Sequence, residues 1–191
     1  SIFLSVLVAY LLGAIPIAVW VSRSKHIDIF RVGTGLPGAA NVYRTVGHKQ
    51  GVLVFIGDAA KGALAIVCAK QMGIDGGWVL LPALATLGGH WKPIFTRFRG
   101  GDGLSSLMGI TLAVMPVYGT IALATGMIGA AVARMRGHHA SLWGGSIVYG
   151  LILARVVAPG GESIIIPLGI VALAIVVLFH GIIGHRRRFA S

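Results

Sequence analysis

The stretch IFLSVLVAYLLGAIPIAVWV, residues 2–21, contains no charged side chain. A membrane-spanning helix needs about 20 mostly apolar residues, so this stretch predicts a first transmembrane helix. Pro16 is expected to kink it, because proline cannot donate the helical hydrogen bond. The stretch has the length of a signal peptide, but it lacks a basic start and further apolar runs follow. We therefore expect it to stay in the protein as a helix.

The composition of the whole chain agrees with a membrane protein. The 191 residues have a mean hydropathy of +0.89 and only 11% charged side chains, whereas a soluble domain has roughly 25%. We expect an all-α, polytopic membrane fold with a single domain over residues 1–191. The net charge of +11 lies mostly in short loops, so nucleic acid is not an expected partner. Cys68 is the only cysteine, which excludes an intrachain disulfide.

Six further apolar segments bring the predicted number of helices to about seven. Residues 104–133 are too long for one span, and Pro116 near their middle divides them into two helices. The six segments are residues 51–72, 77–96, 104–115, 116–133, 141–158 and 163–183.

The basic residues predict the orientation. Thirteen of the 16 Lys and Arg residues lie in loops on one side of the predicted bundle: residues 22–50, 92–99, 134–140 and the C-terminal tail. Loops rich in Lys and Arg stay in the cytoplasm. We expect the N-terminus outside and the C-terminus in the cytoplasm.

The first cytoplasmic loop contains TGLPGAANVYR, residues 34–44. Gly35 and Gly38 permit backbone angles that other residues avoid, so successive N–H groups can turn inward around an anion. Asn41 adds an amide donor, and Arg44 adds a guanidinium that suits phosphate oxygens. The segment predicts either an anion-binding loop or a tight turn between helices with an arginine at the membrane interface.

Asp58 and Lys61 are three residues apart in the second predicted span, so they lie on one helix face. Ionisable residues inside a membrane usually face the bundle interior in pairs. Two interpretations stay open. Lys61 either belongs to a pocket for an anionic substrate, or forms an ion pair that fixes its helix to its neighbours.

A second glycine-rich loop, RFRGGDG, covers residues 97–103 and precedes a predicted helix. A helix start with flanking arginines can hold phosphate. Asp102 opposes this interpretation, since a carboxylate repels phosphate and is itself a favourable helix cap.

Three further polar residues lie near predicted helix ends. Ser141 opens the sixth helix, as a cap or as a contact to a substrate hydroxyl. His90 and His180 lie at cytoplasmic ends and are candidates to converge. No cysteine or carboxylate accompanies them at a recognised ligand spacing, so we expect neither a metal nor a cofactor.

Together these motifs resemble those of the bacterial acyl-phosphate:glycerol-3-phosphate acyltransferases, the PlsY family. The first family motif, S-G-N-x-G-A-T-N-x-x-R, is similar to residues 34–44, and D-x-x-K-G to residues 58–62. The motif G-H-x-x-P followed by F-K-G-G-K-G is similar to residues 89–103. V-S-L and H-R-x-N-I-x-R are similar to residues 140–142 and 180–186.

The resemblance implies a seven-helix enzyme of the bacterial cytoplasmic membrane. It transfers a fatty acyl group from acyl phosphate to the 1-hydroxyl of glycerol 3-phosphate, giving lysophosphatidic acid and phosphate. Its expected partners are these two substrates and membrane lipids. By similarity, the predicted catalytic residues are Thr34, Asn41, Arg44 and His180. The predicted substrate-binding residues are Gly35, Gly38, Ser141, Lys61, Arg99 and Gly101.

Three positions depart from the family pattern. Leu36 and Ile183 replace asparagines, and Asp102 replaces a lysine that would bind the phosphate of glycerol 3-phosphate. Their combination suggests an alternative: a catalytically degenerate relative that acts as a structural or lipid-binding subunit of a larger membrane complex. A transporter is a third interpretation, but no inverted repeat is visible.

Overall fold

A computed structural model describes residues 1–136, 149–152, 154 and 164–189. All regular elements in these ranges are helical, as expected for the all-α class. The α-helices are α1 (Ile2–Ala14), α2 (Ile17–Arg23), α3 (Ala39–Thr45), α4 (His48–Gln71), α5 (Leu80–Trp91), α6 (Leu104–Val114), α7 (Pro116–Arg136) and α8 (Ile165–Phe189). Short 3-10 turns cover Ile29–Arg31, Gly76–Val79 and Ile94–Thr96.

The kink predicted at Pro16 is a complete break between α1 and α2. The Ile15 carbonyl at this break accepts a hydrogen bond from Lys61 Nζ at 3.0 Å. A side chain of α4 thereby satisfies a backbone group that the broken helix leaves without a helical donor. Taken together, α1 and α2 are long and apolar enough to cross a membrane, and so is α4.

Some of the other predicted helix boundaries agree with the structure and others do not. The division at Pro116 is confirmed, since α6 ends at Val114 and α7 begins at Pro116. The third span was predicted to reach residue 96, but α5 ends at Trp91 because Pro93 cannot continue a helix. Helix α8 runs past the predicted residue 183 to Phe189. The sixth predicted span, 141–158, lies largely outside the described residues, and Ser141 lies outside them entirely.

Glycines allow the helices to pack backbone to backbone. Helix α1 packs against α5, and α4 packs against α6. A Cβ atom on Gly13 would collide with the Thr86 carbonyl, and one on Gly62 would collide with the Ser106 carbonyl. Large apolar side chains such as Phe3 point away from the bundle. Small residues between helices and apolar ones outside are typical of membrane bundles.

Candidate functional site

Asn41 organises the first motif loop. Its side chain is only 3% exposed. Both amide N–H groups donate to backbone carbonyls, to Val32 at 3.0 Å and to Leu36 at 3.1 Å. Its Oδ1 accepts a hydrogen bond from the Thr34 N–H at 3.1 Å. The prediction that Asn41 donates directly to a bound anion does not match this geometry, because both donors already have partners.

The backbone donors of this loop are also used inside the loop. The Gly35 N–H donates to the Val32 carbonyl and the Gly38 N–H to the Leu36 carbonyl, both at 2.9 Å. The Leu36 N–H donates to Thr34 Oγ1 at 3.4 Å. The predicted ring of inward N–H groups around an anion is therefore wrong for these positions in this conformation. The sequence could not show how much of the loop's hydrogen-bonding capacity is consumed locally.

The two motif glycines have different roles. Gly35 has φ +64°, a left-handed conformation that favours glycine. Gly38 has φ −136°, which any residue adopts, so the prediction of unusual backbone angles is wrong there. A Cβ atom on Gly38 would lie 3.7 Å from Oδ2 of Asp102. The bare backbone of Gly38 instead forms a wall that faces this carboxylate.

Arg44 lies near the end of α3, with an exposed side chain. Partial burial lowers the pKa of its guanidinium from the ordinary value, and the nearby carboxylate of Asp102 opposes that shift. Arginine stays charged under all ordinary conditions. Arg44 therefore presents a permanent cation on the same side of the molecule as Asp102.

The second glycine-rich loop packs closely on the end of α5. The Gly101 N–H donates to the His90 carbonyl at 3.2 Å. A Cβ atom on Gly101 would lie 2.5 Å from His90 Nε2 and 2.8 Å from the Pro37 carbonyl. Gly101 thus lets the two motif loops meet over His90.

This packing predicts a large effect for Gly101→Ala. The added methyl group has no room between His90 and Pro37, so the two loops must move apart. Overpacking of this kind costs about 1–3 kcal/mol. We expect Gly101→Ala to lower the unfolding temperature of the purified protein. Gly88→Ala is the matched control, since a Cβ there meets nothing within 4 Å, and equal unfolding temperatures for the two variants would contradict the close packing at Gly101.

Asp102 lies where three motif segments meet. Its Oδ1 accepts the Leu104 N–H at 3.1 Å. Asp102 thus binds the first N–H group of α6 from just before the helix, but the N-cap residue is Gly103 and not Asp102 as predicted. Its backbone carbonyl accepts the Trp91 indole N–H at 2.8 Å. Its Cβ lies 3.9 Å from the position of a Cβ on Gly181. The first loop, the second loop and the third motif therefore share one surface.

His180 joins this surface from α8. Its ring stacks on Trp91 with the centroids 4.8 Å apart, and the backbone of Gly101 hydrogen-bonds to it. Asp102 acts on it electrostatically. The structure thus brings His180 next to Gly101.

A small pocket opens beside the second loop. Its lining combines the apolar residues 13–19, around the break between α1 and α2, with polar side chains that include Asp58, Lys61, His90 and Arg99. The Arg99 guanidinium carbon lies 4.2 Å above the centroid of the Phe30 ring, which holds this exposed cation in place.

The structure bears on both interpretations of Lys61 that the sequence left open, the structural ion pair and the pocket for an anionic substrate. Its Nζ lies 2.9 Å from Asp58 Oδ1, with both side chains almost fully buried, so the structural ion pair is present. Lys61 and Asp58 also line the pocket. An ammonium group has three donors, and Asp58 and the Ile15 carbonyl use two of them. One donor is left for a ligand.

His90 is a site residue that the sequence analysis considered only as a metal ligand. It is 5% exposed, and Nδ1 lies 3.3 Å from Ser106 Oγ and 3.9 Å from Asp58 Oδ1. Its Nε2 is buried and has no hydrogen-bond partner among the described residues. A buried polar atom of this kind requires a partner, so Nε2 is a candidate contact for a ligand or a water molecule in the pocket. The sequence feature that could have identified His90 as a site residue is an ionisable side chain at the end of an apolar segment.

The predicted site residues therefore fall into two neighbouring groups. Lys61, Arg99 and Gly101 line the pocket. Gly38 and His180 lie around Asp102, whose field also reaches Arg44. Thr34 and Gly35 shape the first loop, and Ser141 is outside the described residues.

Comparison with known proteins identifies the family. The family model described as glycerol-3-phosphate acyltransferase matches residues 3–190. The chain belongs to the glycerol-3-phosphate acyltransferase family. It is 43% identical over 119 residues to glycerol-3-phosphate acyltransferase 4 of Dehalococcoides mccartyi, covering 62% of this chain and 51% of the relative. Over 123 residues it is 38% identical to glycerol-3-phosphate acyltransferase of Geobacter sulfurreducens, covering 63% of each chain. The chain thus spans between half and two thirds of these relatives' lengths.

The fold agrees with that of a solved family member. The chain superimposes on PlsY, an integral membrane glycerol 3-phosphate acyltransferase, with a TM-score of 0.77 and 29% identity. The comparison is with its glycerol 3-phosphate form and covers 100% of this chain and 90% of that protein. The lysophosphatidic acid form gives a TM-score of 0.74 at 28% identity. This glycerol-3-phosphate acyltransferase family member is accordingly a helical membrane protein.

Proposed function

We propose that this protein transfers a fatty acyl group from acyl phosphate to glycerol 3-phosphate, forming lysophosphatidic acid for phospholipid synthesis. The proposal rests on family membership and on one structural observation above all. A pocket whose lining combines apolar residues 13–19 with the polar side chains of Lys61, His90 and Arg99 adjoins the surface around Asp102. Two substrates that must react with each other need two adjacent subsites.

The pocket suits the acyl phosphate. Its apolar lining, at the break between α1 and α2, contacts the part of the acyl chain next to the reacting carbonyl. Its polar lining offers Arg99, the remaining donor of Lys61 and the buried Nε2 of His90 to the phosphate. A guanidinium and an ammonium are favourable donors to phosphate oxygens. His90 donates as well in the tautomer whose Nδ1 accepts the Ser106 hydroxyl and whose Nε2 carries the proton.

The surface around Asp102 suits the acceptor. Arg44 supplies a cation and His180 a ring nitrogen, and both lie within the field of Asp102. In this arrangement Thr34, Gly35, Gly38 and Asn41 shape the wall between the two subsites. Ser141 was predicted to hold glycerol 3-phosphate, and we keep it as a proposed acceptor contact.

The chemistry requires little from the protein beyond positioning. The acceptor hydroxyl oxygen attacks the acyl carbon, the bond from that carbon to the phosphate oxygen breaks, and the departing phosphate carries away the hydroxyl proton. The mixed anhydride already contains a good leaving group. The protein therefore holds two anions close together and stabilises the developing oxyanion with fixed donors.

We further propose seven membrane-spanning helices in the bacterial cytoplasmic membrane, with the N-terminus outside. The clustering of Lys and Arg in four loops supports this orientation. It places both glycine-rich loops, and hence both subsites, at the cytoplasmic surface.

Turnover by the purified protein tests the proposal. In detergent, with acyl phosphate and glycerol 3-phosphate, the wild type is expected to release phosphate at a rate that depends on both substrates. Arg44→Ala is expected to lower kcat/KM for glycerol 3-phosphate by about a hundredfold, the value of one lost charged contact. Arg31→Ala removes an exposed arginine paired only with Asp28 and serves as the control. If the wild type were no faster than Arg44→Ala, the noncatalytic subunit would be the better interpretation.

A further inference from the structure

The guanidinium of Arg99 is held by an aromatic ring and not by a carboxylate. Its central carbon lies 4.2 Å above the centroid of the Phe30 ring. Among the residues that the structure describes, the basic partners in salt bridges are Arg31, Lys61 and His90, and Arg99 is not one of them. A ring face attracts a cation through its quadrupole, but it does not occupy the planar N–H donors as a carboxylate does. The contact with Phe30 thus fixes the cation and leaves its donors for an anion.

The backbone of Arg99 is fixed by the loop that carries it. Arg97 and Phe98 have φ values of +55° and +61°, a left-handed conformation that is uncommon for residues other than glycine. The Thr96 hydroxyl donates to the Arg99 carbonyl at 2.8 Å. These features set where the Arg99 side chain begins, but a long arginine side chain still has many rotamers. The position of the guanidinium therefore depends on the ring of Phe30.

Phe30 is itself anchored to the helix framework. It lies in the 3-10 turn Ile29–Arg31, where Asp28 Oδ1 accepts the Phe30 N–H at 3.1 Å. Its side chain packs against a buried apolar cluster that joins α2, α3 and α4 and consists of Ala18, Val19, Ile29, Val42 and Val54. Arg99 lines the pocket, whereas Phe30 is not among the described residues that do. The ring can therefore act on a ligand in the pocket only through Arg99.

We propose that Phe30 is a positioning residue for the phosphate of the acyl donor, because its ring holds the Arg99 guanidinium at the pocket before the donor binds. This role rests on the proposed acyl transfer and adds to it a residue that lies outside residues 34–44 and 97–103. A planar guanidinium can stack one face on a ring while its edge binds phosphate oxygens. A free arginine side chain would lose rotamer freedom on binding, and the ring removes part of that loss.

Binding of a phosphonate tests this role without requiring turnover. Butylphosphonate has the anion and a short apolar chain but cannot transfer an acyl group, and calorimetric titration of the purified protein in detergent measures its Kd. Phe30→Leu keeps an apolar side chain against the cluster but removes the aromatic face. We expect Phe30→Leu to weaken butylphosphonate binding by about two- to fivefold, the size of a cation–π contact at an exposed site. Phe30→Tyr retains an aromatic face and is expected to bind the phosphonate as the wild type does.

Two further comparisons separate positioning from packing. Arg99→Ala alone is expected to weaken butylphosphonate binding by about tenfold, since a charged contact is lost. Adding Phe30→Leu to Arg99→Ala should weaken it no further, because the ring then has no cation to hold. Phe95→Leu makes the same change at an exposed ring in the segment that precedes Arg99, and it should leave the Kd unchanged.

Several results would overturn the inference. They are a wild type that does not bind butylphosphonate, an unchanged Kd in Phe30→Leu, the same loss in Phe30→Tyr or Phe95→Leu as in Phe30→Leu, and a further loss when Phe30→Leu is added to Arg99→Ala. The proposed acyl transfer is judged separately by turnover. A wild type with the expected binding pattern but no acyl transfer would refute the proposed function alone. Acyl transfer by the wild type, with an unchanged Kd in Phe30→Leu, would refute only the role of Phe30.

Discussion

Lys61→Met is expected to destabilise the protein by about 3–5 kcal/mol, the cost of leaving a buried carboxylate without its partner. Asp58 is 2% exposed and would lose the ammonium group 2.9 Å away. The Ile15 carbonyl at the break between α1 and α2 would lose one of its two donors and keep the Ile17 N–H. Unfolding of the purified protein in detergent, followed by temperature or denaturant, measures the loss. Lys25→Met removes an exposed lysine and should have almost no effect.

A double variant distinguishes the structural role of Lys61 from its proposed role in binding. Asp58→Asn combined with Lys61→Met removes both charges, so most of the lost stability is expected to return. Lys61→Met alone is expected to raise the KM for acyl phosphate. The double variant should keep this raised KM, because the pocket still lacks its ammonium group. Full recovery of both stability and KM would show that Lys61 is only a structural partner. A single variant as stable as Lys25→Met would contradict the buried ion pair itself.

Asn41→Leu is expected to open the first motif loop. The change removes three hydrogen bonds, each worth about 1 kcal/mol, and takes away the side-chain acceptor of the Thr34 N–H. We expect the free energy of unfolding to fall by about 2–4 kcal/mol. Backbone amides of residues 34–38 should exchange faster with solvent, which hydrogen-exchange mass spectrometry detects. Acyl transfer should fall with them, since the loop forms the wall between the subsites.

The control for Asn41→Leu is a variant of an amide side chain that does not hold a loop together. Gln71→Ala truncates an exposed amide at the end of α4 and should change neither exchange nor activity. If Asn41→Leu abolished acyl transfer while the loop kept its protection, Asn41 would contact the substrate directly. That result would restore the role that the sequence predicted for it.

The membrane-spanning helices were predictable because each depends on the average hydropathy of a stretch of about 20 residues. Apolar runs of about 20 residues need only hydropathy to be recognised, and Pro16 and Pro116 break helices wherever they occur in them. The end of α5 at Trp91 was missed because the run of apolar residues continues past Pro93. Hydropathy does not detect where the backbone stops being helical.

The site was predictable in its residues but less so in their roles. Lys61, Arg99 and Gly101 do line one pocket. The two cations could be singled out because only 11% of the side chains in this sequence are charged. The use of Asn41 and of the loop N–H groups depends on partners that only a folded loop brings together. His90 was missed as a ligand contact because the sequence cannot show that Nε2 lacks a partner.

Asp102 also shows which contacts can be predicted from the sequence and which cannot. Its hydrogen bond to the Leu104 N–H follows from a general preference for aspartate at helix starts. Its position opposite Gly38 and Gly181 depends on segments far apart in the chain. A residue that the sequence shows only beside two arginines therefore lies, in three dimensions, where three motif segments meet.

Product analysis with isotopically labelled glycerol 3-phosphate tests the central claim most directly. Purified wild-type protein receives acyl phosphate and the labelled acceptor, and the lipid product is identified by mass spectrometry alongside a count of released phosphate. Our account predicts one labelled lysophosphatidic acid for each phosphate released. Phosphate release without labelled lipid, or no product of either kind, would contradict it.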